Sequence, residues 1–100
     1  MSRIGDGRFA EISNAVFSRA LAAVSYTHLL VAPTRQEAGC LNYDLHILPE
    51  DPAKFLFHEN WTSRAQLDAH LQSAHIKGLL PRVDALCVAF PEITIWGKIV

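Results

Sequence analysis

Glu59, Trp61 and His70 are the residues whose types and spacing promise chemistry. Glu59 and Trp61 stand two apart in an alternating stretch, so they share one face of a strand. His70 follows one short helix later, on the side expected to pack over that face. An acid, an indole and an imidazole then converge on one cavity. Imidazole titrates near neutral pH, which suits a general base. Such a base can take a proton from the hydroxyl of a bound substrate. An apolar pocket then holds the partners and excludes water. In this reading His70 is the base, Glu59 orients it or raises its basicity, and Trp61 is a wall against an aromatic ring. His75 and Tyr43 complete the set expected around a substrate. Each has a bland reading too. A Glu–His pair near a helix end is often a structural hydrogen bond, Trp61 and Tyr43 suit a core, and His75 suits a helix cap.

Other chemistries fit less well. His70 and His75 are five apart, not the four that puts two ligands on one helical turn. No cysteine lies at ligand spacing from them, and His28, His46 and His58 fall on different elements. A glycine-rich phosphate loop and a nucleophile elbow are both absent from the sequence. The expectation is therefore no metal and no other cofactor. Nine basic and ten acidic residues are scattered along the chain, giving a net charge of −1. That pattern lacks the basic footprint of a nucleic-acid binder and the polybasic helix of a membrane-surface protein. The two cysteines, Cys40 and Cys87, form no CxxC pair and read as reduced thiols of a cytoplasmic protein. Arg3 and Arg8 resemble a signal-peptide start, but Glu11, Ser13, Asn14 and Arg19 interrupt any apolar core behind them.

The elements that position these residues follow from periodicity. Residues 1–8, with Gly5, Asp6 and Gly7, read as a flexible lead-in, and residues 9–100 as one domain. Residues 9–32 allow two readings. Phe9, Ile12, Val16, Ala20, Ala23, Thr27 and Leu30 fall at helical spacing and allow one long helix. Alternatively, a strand over Phe9–Ala15 precedes a helix capped by Ser18, with Phe17, Leu21, Val24, His28 and Val31 on one face. Pro33 should kink or end this helix, Thr34 and Glu37 have capping-box spacing, and Gly39 is a stop signal. Cys40–Leu48 alternates, with Leu41, Tyr43, Leu45 and Ile47 opposite Asn42, Asp44 and His46. Pro49–Pro52 makes a turn of about five residues before a strand over Lys54–Thr62. Ser63 caps a helix to Ser73, His75–Leu80 is a second piece, and Glu92–Lys98 is a last strand. Strand, helix, strand, strand, helix, strand is the split βαβ order of an α+β, ferredoxin-like fold. Half of the 100 residues are apolar, and both helices fall on one sheet face. The other face, with Leu48 and Leu56, then calls for a second copy of the chain, which makes a homodimer.

Three segments resemble one known family. Pro33-Thr-Arg-Gln-Glu-Ala-Gly-Cys-Leu-Asn-Tyr-Asp-Leu-His46, Phe55-Leu-Phe-His-Glu-Asn-Trp61 and Leu67-Asp-Ala-His-Leu-Gln-Ser-Ala-His75 are similar, in order and spacing, to antibiotic-biosynthesis monooxygenases of the quinol-monooxygenase-like kind. The resemblance implies a dimeric α/β barrel and oxidation of a small aromatic or quinol-like substrate by molecular oxygen without cofactor. It equally implies an alternative, because some members have no known activity: a non-enzymatic dimeric barrel that binds a small apolar ligand. The first strand and its Lys-Pro-Gly-like turn, usual in the family, are not recognisable in residues 1–18. Haem-degrading members carry a Trp at the position of His70 and a His near Leu80, so the haem reading falls.

Overall fold

The computed structural model describes residues 7–17 and 20–100, the side chains of 20–27 excepted. The second reading of the N-terminal third is the observed one. Strand β1 spans Phe9–Val16 and helix α1 spans Ala20–Arg35. Helical spacing in β1 misleads because the strand also alternates: Glu11, Ser13 and Ala15 are buried while Asn14 and Val16 face out. The Ser18 cap, and the lead-in over residues 1–6, lie outside the described residues.

Pro33 does not end α1. It occupies the last turn, where the one missing hydrogen bond falls two residues before the helix stops at Arg35. Thr34 therefore stays helical and fully buried rather than capping a new turn. Within α1, Leu30 and Thr34 pack inward and His28 is exposed, so the inward stripe differs from the expected one. Gly39 does reverse the chain, with φ +83°. A Cβ there would lie 2.5 Å from the Gln66 Cγ, so the turn presses on the first coil of the next helix.

Strand β2 is Cys40–Leu48 and β3 is Asp51–Trp61. The hairpin is tighter than expected, because β3 begins before Pro52 rather than at Lys54. Register irregularities after Cys40 and Ile47 absorb the difference. Helix α2, Arg64–Leu71, starts at Ser63, whose Oγ accepts the Gln66 N–H at 3.2 Å. Helix α3, Ala74–Leu79, starts at Ser73 in the same way. A 3-10 turn at Leu80–Arg82 contains Pro81 and leads into the single turn α4, Val83–Leu86. Strand β4, Glu92–Gly97, closes the sheet.

The sheet order is β2-β3-β1-β4, with every neighbouring pair antiparallel. This is the ferredoxin-like α+β arrangement. The inward face carries Ala15, Tyr43 and Phe57, which pack with Phe17, Leu30, Leu79, Val83 and Cys87 under the helices. The opposite face is open and bears Ile12, Leu56, His58, Asn42, Asn60 and Trp96. On it, Asn60 donates to Asn42 at 2.7 Å and Asn42 donates to Asp44 at 3.0 Å. No helix among the described residues is long and apolar enough to cross a membrane.

Candidate active site

The site forms where β1 and β3 lie side by side beneath α2 and α3. Register sets Glu11 of β1 directly opposite Glu59 of β3, and Tyr43 of β2 opposite Glu59 on its other side. Period-two alternation turns all three inward. Ser63 fixes the start of α2, and seven residues on, His70 drops onto Trp61 with ring centroids 4.7 Å apart. The His70 side chain is 1 % exposed. Tyr43 meets it edge-on, at 5.6 Å between ring centroids.

The residue that holds His70 is Glu37, which sequence reasoning placed in a capping box. Its Oε2 lies 2.7 Å from the His70 Nδ1 and 2.9 Å from the His75 Nε2. Glu37 reaches this position because the turn after α1 is pinned: its N–H bonds Thr34 O, and Gly39 O accepts the Thr62 N–H at 2.9 Å. A better signal lay in the spacing. The break at Ser73 between α2 and α3 lets two histidines five apart face one carboxylate, which the rule for a single helix does not foresee. One ligand atom each from Glu37, His70 and His75 lies within 4.8 Å of the others, as does one each from Glu11, Glu59 and His70. Among the described residues, these are the two groups whose donors lie close enough together to hold a metal ion. In the first, one oxygen at 2.7 and 2.9 Å from two ring nitrogens already gives each of them a hydrogen-bond partner.

Glu59 takes a different role from the one expected. Its Oε1 accepts the Trp61 Nε1–H at 3.0 Å and sits 3.6 Å from the His70 Nε2. That is too long for a hydrogen bond, so Glu37 and not Glu59 orients the imidazole. Burial pushes the Glu59 carboxyl up to about 10, helped by the neighbouring Glu11. A neutral carboxyl carries no negative charge to offer its neighbours. Glu11 was missed altogether, because an acid in an indistinct strand carries no motif. It is 3 % exposed and its Oε2 accepts the Ser13 hydroxyl at 3.1 Å.

A cavity of about 70 Å³ opens between the sheet and α3. His70, Tyr43, Glu11 and Ser13 supply its polar wall, and Phe57, Leu79, Val83 and Phe90 are among its apolar lining. Trp61 is not on this wall; it is fully buried behind His70 and clamps Glu59 instead. His75 is not on it either, and lines a shallow surface depression with Leu79 and Arg82. Of the five expected site residues, His70 and Tyr43 touch the cavity, while Glu59, Trp61 and His75 stand around His70. No Lys or Arg lines the cavity among the described residues. Cys40 and Cys87 are unpaired, and burial, with Glu59 and Glu37 nearby, raises the Cys40 thiol to about 11. It is therefore a thiol at neutral pH and a poor nucleophile.

A ferredoxin-like sheet with a buried histidine over a small cavity defines the class. The model of the antibiotic biosynthesis monooxygenase family matches residues 20–80, and the chain belongs to that family. An uncharacterized protein of Synechocystis sp. is 29 % identical over 73 residues, which span 73 % of this chain and 50 % of that protein. The chain thus spans about half the length of that curated relative. Among solved structures, PA3566 of Pseudomonas aeruginosa is 28 % identical with a TM-score of 0.84, over 99 % of this chain and 100 % of that one. A crystal structure of an antibiotic biosynthesis monooxygenase is 29 % identical with a TM-score of 0.80, over 92 % of this chain and 99 % of that one. Protein SO0527 of Shewanella oneidensis shares the fold at a TM-score of 0.86 and 19 % identity, over 96 % of this chain and 95 % of that one.

Proposed function

We propose that the chain works as a homodimeric, cofactor-independent monooxygenase that oxidises a small phenolic or quinol-like substrate with molecular oxygen. The observation that carries this reading is the setting of His70. With Glu37 taking its Nδ1–H at 2.7 Å, the other nitrogen, Nε2, is the proton acceptor of a ring that lines the cavity. An imidazole held in one tautomer by a carboxylate is the arrangement of a general base. His70 takes the phenolic proton, and the ring passes electrons to oxygen. One oxygen atom enters the substrate and the other leaves as water, while the substrate gives up two hydrogens. Tyr43 and Phe57 offer ring faces to the substrate. The dimer rests on the open sheet face, where Ile12, Leu56 and Trp96 face solvent in the single chain.

The cavity is about 70 Å³, less than half the roughly 150 Å³ of an apolar cavity known to take benzene. A ring enters only if the mouth moves. Phe90 is 66 % exposed and Ile93 46 %, and together with Pro91 they form the side that can give way. The same small volume favours the second reading, a non-enzymatic dimer that binds a small apolar ligand. Oxygen uptake by metal-chelated protein across a panel of phenols and hydroquinones separates the two. Uptake lost in His70→Ala supports the oxygenase; a flat oxygen trace with every substrate refutes it.

A further inference from the structure

We infer that Glu11 is a second catalytic group of this site: it and Glu59 share one proton, and Glu11 delivers that proton to the reduced oxygen. The inference rests on the oxygenase reading above. It begins from a buried polar atom. Glu11 lines the cavity and is 3 % exposed, yet its Oε1 has no hydrogen-bond partner, whereas its Oε2 accepts from Ser13. A buried oxygen left without a donor is costly, and a proton shared with a neighbouring carboxyl supplies one. Glu59 faces Glu11 across the β1–β3 pairing. Two carboxyls side by side in an apolar site cannot both ionise, so the pair holds a proton at neutral pH. Trp61 and Ser13 each occupy one oxygen of the pair, which leaves one oxygen of each carboxyl for the shared proton, and Glu11 is the member that lines the cavity.

With that proton the cycle closes. His70 Nε2 takes the hydroxyl proton of a phenol. Oxygen adds to a ring carbon, drawing two electrons from the ring, and forms a carbon–oxygen bond. Glu11 gives the shared proton to the resulting peroxide anion. The carboxylate then removes the hydrogen of that same ring carbon and regains its proton. The oxygen–oxygen bond breaks, and the departing hydroxide takes the proton held on His70 to become water. Phenol and oxygen thus become quinone and water, and every protein group returns to its starting state. His70 Nδ1–H stays on Glu37 throughout.

The test uses purified protein, hydroquinone as probe, and two measurements. Infrared spectroscopy at pH 7 should show one protonated carboxyl per chain, absent in Glu59→Gln and shifted in frequency in Glu11→Gln, where burial still holds the Glu59 proton but its carboxylate partner is gone. Oxygen-uptake kinetics should show KM for Glu11→Gln near that of the unaltered protein, and kcat lower by about 10²-fold, the lower end for a positioned acid. Ser13→Ala, a milder change, should retain the protonated band and lose less than tenfold in kcat; it serves if Glu11→Gln does not fold. Absence of the carboxyl band, or an unchanged kcat in folded Glu11→Gln, overturns the inference while the His70 base stands. If the unaltered protein shows the band but consumes no oxygen with any phenol, the oxygenase reading falls and the catalytic role of Glu11 falls with it.

Discussion

Replacing Glu59 by Gln should make the protein more stable as pH rises, and the size of the effect follows from the site. The carboxyl is 1 % exposed and raised from its ordinary value of 4.5 to about 10. Above pH 4.5 the unfolded chain loses this proton and the folded chain keeps it. The contribution to stability is therefore fully present below pH 4.5 and is lost as pH rises through the window toward 10. A difference of one bound proton costs about 1.4 kcal/mol per pH unit. Between pH 5 and pH 7 that amounts to roughly 3 kcal/mol. The amide of Glu59→Gln has no such proton to lose. Its oxygen still accepts the Trp61 Nε1–H, and its nitrogen can donate to Glu11 as the carboxyl proton does. At pH 5 the two proteins should therefore agree within about 1 kcal/mol, the usual worth of one exchanged hydrogen bond. At pH 7 the variant should lead by about 3 kcal/mol, or roughly 12–24 °C in Tm for a domain of this size. Urea unfolding at pH 5, 6, 7 and 8, at one fixed protein concentration so that any dissociation of a dimer on unfolding is held constant, measures the difference directly. The other titrating groups largely cancel between the two proteins. A gap that does not change with pH, or one that narrows upward, would show that Glu59 is ionised in the folded state and would undo the argument.

Other expectations follow from the same geometry. His70→Ala should fold and cut turnover by about 10²–10⁴-fold, with His70→Asn nearly as inactive, whereas a purely structural histidine predicts a lower Tm and intact turnover per folded molecule. Gly39→Ala should cost about 1–3 kcal/mol in chemical denaturation, because the backbone is left-handed there and the new Cβ meets Gln66, and it should loosen Glu37 as well. Sedimentation at micromolar concentration should give a dimer, and Leu56→Lys on the open sheet face should shift it toward monomer; a stable monomer of the unaltered chain would contradict that interface.

The parts of the fold that repeat with a clean period were legible in the residues. Cys40–Leu48 and the stretch ending at Trp61 alternate and both lie in the sheet; Tyr43, Leu45 and Phe57 face inward as predicted, whereas the irregularity after Cys40 leaves Leu41 exposed and turns Cys40 inward instead. Ser63 announced α2 because a hydroxyl before an apolar period satisfies free N–H groups. Residues 9–16 were ambiguous for a physical reason. Their inward side carries Glu11, Ser13 and Ala15, so the buried face of β1 does not look apolar. Pro33 misled because a proline near the C-terminal end of a helix removes few bonds. Glu37 was visible but assigned to the wrong partner: its nearest sequence signal was Thr34, while its actual neighbours are 33 and 38 residues away. Contacts of that separation come only from the packing of α2 and α3 against the turn before β2. Trp61 was correctly set beside His70, yet its orientation, toward Glu59 and away from the cavity, needed coordinates.

Stability alone does not account for the polar groups at this centre. A chain of 100 residues has a small core, and here it encloses Glu11, Ser13, Glu59, Thr34 and His70. Strands β1 and β3 are the two central strands, where β-branched and aromatic residues pack best. Replacing a buried ionisable network with apolar side chains of similar volume is often neutral, or stabilising by about 1–4 kcal/mol. Helix α2 is anchored by buried Leu67, by the stacking of His70 on Trp61 and by the short His70–Glu37 contact. Glu11 and Glu59 set two buried carboxyls side by side, and Glu11 lines the cavity. Trp61, the largest fully buried side chain, spends its one polar atom on holding Glu59 in place. A fold that seats its costliest groups around a space, and positions them with its best-packed residue, is organised around what enters that space.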